Sequence, residues 1–223
     1  MKRLYIFFTL IHLAVFSQNQ INKTLGEFST LKVFDLINVE LIKSDTNRII
    51  ISGKHSSDVK IIQNNDLLKL RMSTKNMFNG SETQIKLYYT DLDVIDANEG
   101  AIVTSHDPIK QYELTLKTQE GAKITALSET KILNIKSLTG GVITVSGSTE
   151  KQKITLRTGG VYLGSNVVSQ YSDVSIKTGG EASVKTEEDL NIRIFSGGDV
   201  FVYGRPKKIN QKRLIGGRVI FKD

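Results

Sequence analysis

Four acidic residues near the middle of the chain offer oxygen ligands of the kind that Ca²⁺ prefers. They are Asp91, Asp93, Asp96 and Glu99. In an extended strand, alternation places Asp91 and Asp93 on one side, with the other two nearer the following turn. The spacing and the glycine of an EF-hand loop are missing. A solvated acidic surface is therefore the favoured interpretation, and a Ca²⁺ site is the weaker alternative.

Few residues of this chain are suited to catalysis. The sequence has no cysteine, and its three histidines, His12, His55 and His106, stand far apart. Thiol catalysis, thiolate metal sites and paired-histidine zinc motifs are thereby excluded. A carboxylate pair for glycan cleavage stays open, because acids are spread along the chain. We predict no cofactor, no resident metal beyond the weak Ca²⁺ candidate, and no enzymatic activity.

Five basic residues recur just before a turn in successive repeats: Lys117, Lys136, Arg157, Lys177 and Arg193. If the repeats stack as strands, such side chains come to about 5 Å from one another. Like charges at that distance repel by about 1 kcal/mol in water. A solvated face with compensating acids is the favoured interpretation. The functional alternative is a basic column that binds an anionic polysaccharide through charge-assisted hydrogen bonds.

Regularly spaced glycines mark the elements that would position these side chains. They recur every 18 to 21 residues, at Gly100, Gly121, Gly141, Gly160, Gly180, Gly198 and Gly217. A second glycine precedes each of the last five, whereas Glu99 and Glu120 stand at that place in the first two. A period near twenty that is sustained in this way predicts a solenoid. We expect the glycines at coil corners, where positive φ or close approach of the next coil excludes a side chain.

Short alternating strands lie on both sides of each glycine, as in Ile154-Thr155-Leu156 before Gly160. Two strands and two corners fit into one repeat, so strands of successive coils should pair about 4.8 Å apart. The fold class predicted is all-β, a parallel β-solenoid of about seven short coils. Repeats of this length leave almost no room for the inserted loops from which enzymes on such scaffolds build a cleft.

The N-terminal half of the chain predicts β-hairpins. Runs at 39–42 and 49–51 flank a turn at 44–47, and runs at 59–62 and 67–72 flank a turn at 63–66. We expect a flexible N-terminus at 18–27, a β-hairpin region at 28–90 and the solenoid at 91–223, continuous with it.

The first residues predict a secretory signal peptide at 1–17. Met1-Lys2-Arg3 is positive, residues 4–16 are apolar but too short to span a bilayer, and Ser17 suits signal peptidase. We expect an exported protein in the periplasm, on the cell surface or outside the cell, with no transmembrane segment after cleavage. The formal net charge is +7. Export argues against nucleic acid, so the expected partner is an anionic polysaccharide or another envelope protein.

The sequence resembles a known family in several motifs. They are the opening Phe28-Ser-Thr-Leu-Lys-Val33, the run Ile85-Lys-Leu-Tyr-Tyr-Thr-Asp-Leu92, the repeated Gly-Gly units, and the closing Val202-Tyr-Gly-Arg-Pro206 and Gly216-Gly-Arg-Val-Ile220. This pattern resembles the head GIN-domain family of putative auto-transporter adhesins. The resemblance implies a right-handed parallel β-helix and supplies no catalytic residues. Glu99 and Glu120 depart from the repeated glycine pairs, which predicts looser corners there.

Together these features predict an exported, non-enzymatic, adhesin-like binding module that presents a solenoid surface to anionic glycans or other envelope components. Two alternatives remain: a carbohydrate-active enzyme on a β-helix scaffold, and a structural envelope protein whose end or edge stacks on a partner. A cluster of C-terminal cations, including Lys212 and Arg213, is expected to protect the last strand edge from pairing.

Overall fold

A computed structural model describes residues 20–222, so the predicted signal peptide lies outside the described residues. In residues 20–222, sixteen strands join in one sheet, with three single-turn 3₁₀ helices at Ser56–Asp58, Thr74–Asn76 and Gly80–Glu82. The all-β prediction is confirmed. The N-terminal strands are β1 (Ile21–Thr24), β2 (Thr30–Val33), β3 (Asn38–Lys43), β4 (Arg48–Gly53), β5 (Val59–Asn64), β6 (Leu67–Met72), β7 (Thr83–Tyr89) and β8 (Val94–Ala97).

The remaining strands form the stacked coils and are mostly long and bent. They are β9 (Ile102–Thr118), β10 (Lys123–Leu138), β11 (Val142–Arg157), β12 (Val161–Thr178), β13 (Glu181–Ser196), β14 (Asp199–Tyr203), β15 (Lys208–Ile215) and β16 (Arg218–Lys222). Successive members pair in parallel. The predicted solenoid of about seven coils is confirmed.

Stacked aliphatic side chains form the core. Leu116, Ile135, Ile154, Val174 and Ile192 occupy one inward column, each paired in register with the next. All five are at most 1% exposed. Because the period of a strand is two residues, the residues between them face outward. The inward half of each repeat thus holds the stack together, and the outward half is free for other roles.

The corner glycines serve in two different ways. Gly100, Gly121, Gly180, Gly198 and Gly217 have positive φ. Gly141 and Gly160 do not have positive φ. In their two corners the residues with positive φ are the two that come before, Thr139 and Gly140 in one and Thr158 and Gly159 in the other. A Cβ on Gly141 would lie 2.6 Å from Thr118 Oγ1, and one on Gly160 would lie 2.1 Å from the Ser137 carbonyl oxygen. These two glycines are therefore required by close approach of the preceding coil.

Hydrogen bonds between corners correct the alignment of the first two repeats. The amide of Gly100 donates to Glu120 O at 3.0 Å, and that of Gly121 donates to Thr139 O at 3.2 Å. Glu99 and Glu120 therefore align with Thr139 and do not replace a glycine. The residues aligned with the second glycine of later repeats are Ala101 and Ala122, both fully buried.

The stack of coils begins earlier than predicted. Strand β2 pairs in parallel with β8, and β3 pairs in parallel with β9. Leu36 N donates to Glu99 O at 3.0 Å, as corner glycines do in later coils. The predicted boundary near residue 91 is thus wrong, because residues 30–43 already contribute a coil whose corner carries no glycine.

Antiparallel strands cover the N-terminal end of the solenoid. The predicted hairpin at 59–72 is confirmed as β5 and β6. The hairpin between β3 and β4 is wrong, because β7 lies between them, parallel to β3 and antiparallel to β4. Strand β1 pairs with the other edge of β4, so the predicted flexibility of 18–27 is wrong for Ile21–Thr24.

Candidate ligand-binding face

The basic residues lie on the outward side of the second half of the long strands, which we call the basic face. It comprises the outward residues of the 115–118 part of β9, the 134–138 part of β10, the 153–157 part of β11, the 173–178 part of β12, the 191–195 part of β13, and β15. Inward neighbours such as Ile135 and Ile154 anchor it in the core. The face is therefore held by six paired strands rather than by loops.

The register divides the predicted basic column into two columns. In the first, Lys117 pairs with Lys136, followed by Thr155, Ser175, Arg193 and Lys212. In the second, Arg157 pairs with Leu138. The inward residues pair as Leu156 with Ile176 and Ile194 with Arg213. The outward residues one position later follow the same register, so the second column continues from Arg157 to Lys177, Phe195 and Leu214. The prediction of one column is wrong, because the five cations do not stand at one distance from the corner. Lys117, Lys136 and Arg193 lie four residues before the first glycine of the corner, whereas Arg157 and Lys177 lie two residues before it.

This division lowers the repulsion between like charges. Thr155 and Ser175 separate Lys136 from Arg193 in the first column, and Arg193 is neutralised by Asp173. The Arg193 guanidinium donates to both carboxylate oxygens of Asp173, at 2.6 and 2.9 Å. Within residues 20–222, no ion pair involves the other cations of the face, Lys117, Lys136, Lys153, Arg157, Lys177 and Lys212. The face therefore keeps an excess of uncompensated positive charge.

Two cavities run in line between the columns, and together we call them the trough. The first, about 450 Å³, is lined by cationic side chains that include Lys136, Arg157 and Lys177. The second, about 680 Å³, continues from Lys177 and Arg193 to Phe195, Lys212 and Leu214. Its walls are more apolar, because Phe195 and Leu214 are 58% and 62% exposed on it.

The Ca²⁺ candidate does not form. Asp91 accepts a hydrogen bond from the Gln111 amide, and Asp96 lies 3.8 Å from Lys32 Nζ. Glu99 turns away at a corner with φ of 51°. Within residues 20–222, no group of three or more His, Cys, Asp or Glu side chains is placed to hold a metal ion. Strand alternation and the corner thus separate Asp91, Asp93, Asp96 and Glu99.

A buried carboxyl pair was missed by the sequence interpretation. Asp35 is fully buried, and its Oδ2 accepts a hydrogen bond from the Met72 amide at 2.9 Å. Burial, a hydrogen bond with Asp35 and the negative charge of Asp35 raise the pKa of Glu99. Asp35 Oδ1 and Glu99 Oε2 are buried without another hydrogen-bond partner in the described chain. A proton on Glu99 would let it donate to Asp35, whose Oδ2 also lies 3.6 Å from Arg71 Nε. The sequence carried no signal of this contact, because the first corner has no glycine to mark it.

Polar side chains also meet inside the coils, but they satisfy one another. The amide of Gln152 donates to Ser169 and Ser172 at 2.8 and 2.9 Å, and Tyr162 donates to Gln152 Oε1 at 2.9 Å. Burial raises the pKa of the Tyr162 phenol well above its usual range. A closed network of this kind specifies how coils stack and exposes no group to a ligand.

The comparisons with known proteins agree with the fold. The family described as putative auto-transporter adhesin, head GIN domain, matches residues 27–206. A crystal structure of a putative adhesin from Bacteroides fragilis has a TM-score of 0.84 at 14% identity, covering 91% of this chain and 96% of that one. A putative adhesin from Parabacteroides distasonis has a TM-score of 0.72 at 15% identity, covering 91% of this chain and 96% of that one. A putative adhesin from Parabacteroides merdae has a TM-score of 0.68 at 17% identity, covering 92% of this chain and 95% of that one. Among proteins with curated descriptions, none matches the sequence.

Over residues 20–222, no helix is long and apolar enough to cross a bilayer.

Proposed function

Because this chain belongs to the family described as putative auto-transporter adhesin, head GIN domain, we propose that it is an exported, non-enzymatic, adhesin-like module. Its basic face binds an anionic polysaccharide of the cell envelope. The observation that carries this proposal is the trough, in which Lys136, Arg157 and Lys177 stand without ion-pair partners in residues 20–222.

The chemistry of the trough suits carboxylate, sulfate or phosphate groups. Lysine and arginine form charge-assisted hydrogen bonds that are shorter and stronger than neutral ones. Paired strands place the cations at intervals of about 4.8 Å along the solenoid axis, so a linear polyanion lying along the axis meets several of them. Many weak contacts of this kind give affinity that falls as salt screens them.

The non-enzymatic part of the proposal rests on what the face lacks. The carboxylate of Asp173 is the acid that lines the trough, and it is held by Arg193. Glycan cleavage of the usual kind needs two carboxyls facing each other across the bond. The connections between coils are tight corners, so no long loop within the described part of the chain, residues 20–222, covers the face. These features disfavour the carbohydrate-active enzyme.

A charge-neutralising variant tests the proposal. Lys136→Gln, Arg157→Gln and Lys177→Gln combined should elute from a heparin column at lower salt and bind an acidic polysaccharide about 5- to 50-fold more weakly. The matched control removes three exposed lysines outside the face, Lys23→Gln, Lys123→Gln and Lys151→Gln. The proposal fails if both variants lose affinity equally, since net charge alone would then explain the binding.

A structural role is the second candidate, and the open C-terminal end favours it. All eight residues of β15 are exposed, and its outer edge pairs with no strand of the described chain. An envelope protein that stacks on this edge would use the solenoid as a scaffold. Light scattering after size exclusion separates the two candidates, because a monomer supports the binding module and a defined oligomer supports the scaffold.

A further inference from the structure

The trough changes character along its length. Its first part is bordered by Lys136, Arg157 and Lys177, whereas its second part is bordered by Phe195 and Leu214. Large apolar side chains that are more than half exposed in one patch mark binding sites more often than ordinary surface. Here they are neighbours in the second column, directly after the two cations. The trough therefore joins a positively charged half to an apolar half.

We propose, building on the proposed function of the same face, that the trough binds a single-chain amphiphilic anion, an alkyl or acyl chain with an acidic head group. The head group lies between Arg157 and Lys177, and the chain lies against Phe195 and Leu214. Charge complementarity fixes the direction of the ligand, because the cations border the first half and the apolar side chains border the second.

The dimensions of the trough fit such a ligand. Lys177, Phe195 and Leu214 lie on three successive strands, so the apolar half extends about 10 Å beyond the second cation. The cavity of about 680 Å³ is within the range of small-molecule sites. Lys212 and Arg193 line its opposite wall. Their hydrocarbon stems can cover the chain while their charged groups stay in water.

A pure polyanion would reach Lys177 and Lys212 in this half of the trough but would leave Phe195 and Leu214 uncovered. Each aromatic or aliphatic side chain that a ligand covers contributes to binding in proportion to the apolar area removed from water. A sulfate or carboxylate without a tail cannot cover Phe195 or Leu214. The ligand that uses the whole trough therefore carries both a charged and an apolar part.

Three probes separate the contributions: decyl sulfate below its micellar concentration, inorganic sulfate, and decyl maltoside. We expect decyl sulfate to bind most tightly in calorimetry, because it alone has both parts. Phe195→Ser with Leu214→Ser should weaken decyl sulfate about 10-fold or more and leave retention on heparin unchanged. The matched control, Tyr112→Ser with Leu163→Ser, removes exposed apolar residues from outside the basic face and should bind decyl sulfate normally.

The outcomes distinguish this inference from the function on which it rests. If Phe195→Ser with Leu214→Ser binds decyl sulfate as tightly as the native chain, the amphiphile site is wrong even when heparin binding depends on Arg157 and Lys177. If decyl maltoside binds as tightly as decyl sulfate, the charged half has no part and the inference is also wrong. Binding to phosphatidylglycerol vesicles without binding to monomeric decyl sulfate would equally overturn it. Circular dichroism verifies that each variant is folded.

Discussion

The carboxyl groups of Asp35 and Glu99 meet at the corners of the first two coils, where both residues have positive φ, 59° and 51°. Their peptide units are linked through Leu36, whose amide donates to Glu99 O at 3.0 Å. Burial and repulsion between the two acids raise the pKa of Glu99, while Arg71, whose Nε lies 3.6 Å from Asp35 Oδ2, lowers it. In four later corners the same position is threonine or serine, at Thr139, Thr158, Thr178 and Ser196.

This pair predicts a pH dependence of stability. The pKa of Glu99 is raised in the folded state, so folding favours its protonated form. Its stabilising contribution is complete below the pKa of the unfolded chain and is lost as pH rises through the folded pKa. Glu99→Gln, which keeps a neutral hydrogen-bonding group, should therefore remove part of the loss of stability between acid and neutral pH.

Urea unfolding of the native chain and of Glu99→Gln, at pH 4 and at pH 7.5, measures this effect. Glu187→Gln is the control, because Glu187 is an exposed glutamate of a distant coil, whereas Glu120 contributes to the raised pKa of Glu99. Identical pH profiles for the native chain and Glu99→Gln would contradict a raised pKa of Glu99.

The two roles of corner glycine predict different costs for alanine. At Gly160 a Cβ would lie 2.1 Å from a backbone oxygen of the preceding coil, whereas at Gly159 it would meet nothing within 4 Å. Gly159→Ala should cost about 1–2 kcal/mol, because only positive φ is disfavoured. Gly160→Ala must displace a strand and should cost about 3 kcal/mol or more.

Chemical denaturation of these two variants tests the distinction directly, since they are neighbours in the sequence. An equal loss of unfolding free energy in both would mean that coils at this corner are less tightly stacked than the contact with Ser137 indicates.

Polar side chains at inward positions of β15 indicate how the exposed edge of the solenoid avoids self-association. These positions continue the core columns, but Gln211 pairs with Ile192 and Arg213 with Ile194. An inward-pointing charge on an unpaired edge strand is a recognised protection against edge-to-edge pairing. Gln211→Ile combined with Arg213→Ile should therefore make the chain dimerise or form larger assemblies.

Light scattering at increasing concentration measures this change. Lys212→Gln is the matched control, because it removes an outward charge from the same strand and should stay in the native oligomeric state. Assembly of the control to the same extent would show that net charge, and not the inward arginine, protects the edge.

Sequence periodicity alone determined the class of the fold and the face on which the cations lie. Alternation of aliphatic and polar residues shows which side of each strand faces the core, and recurrent glycines mark the corners. Ile154 could therefore be assigned to the core and Arg157 to the surface. These are local properties of the backbone, which is why they can be read without knowing which strands pair.

Register and end structure were decided only by the tertiary structure. Lys136 stands four residues before Gly140 and Arg157 two residues before Gly159, so strand pairing places them in different columns although both precede a glycine pair. The first corner uses Asp35 and Leu36 in place of glycine, and β7 enters between β3 and β4, because pairing across the sheet depends on long-range contacts. The trough, with cations at one half and Phe195 and Leu214 at the other, exists only once that register is set.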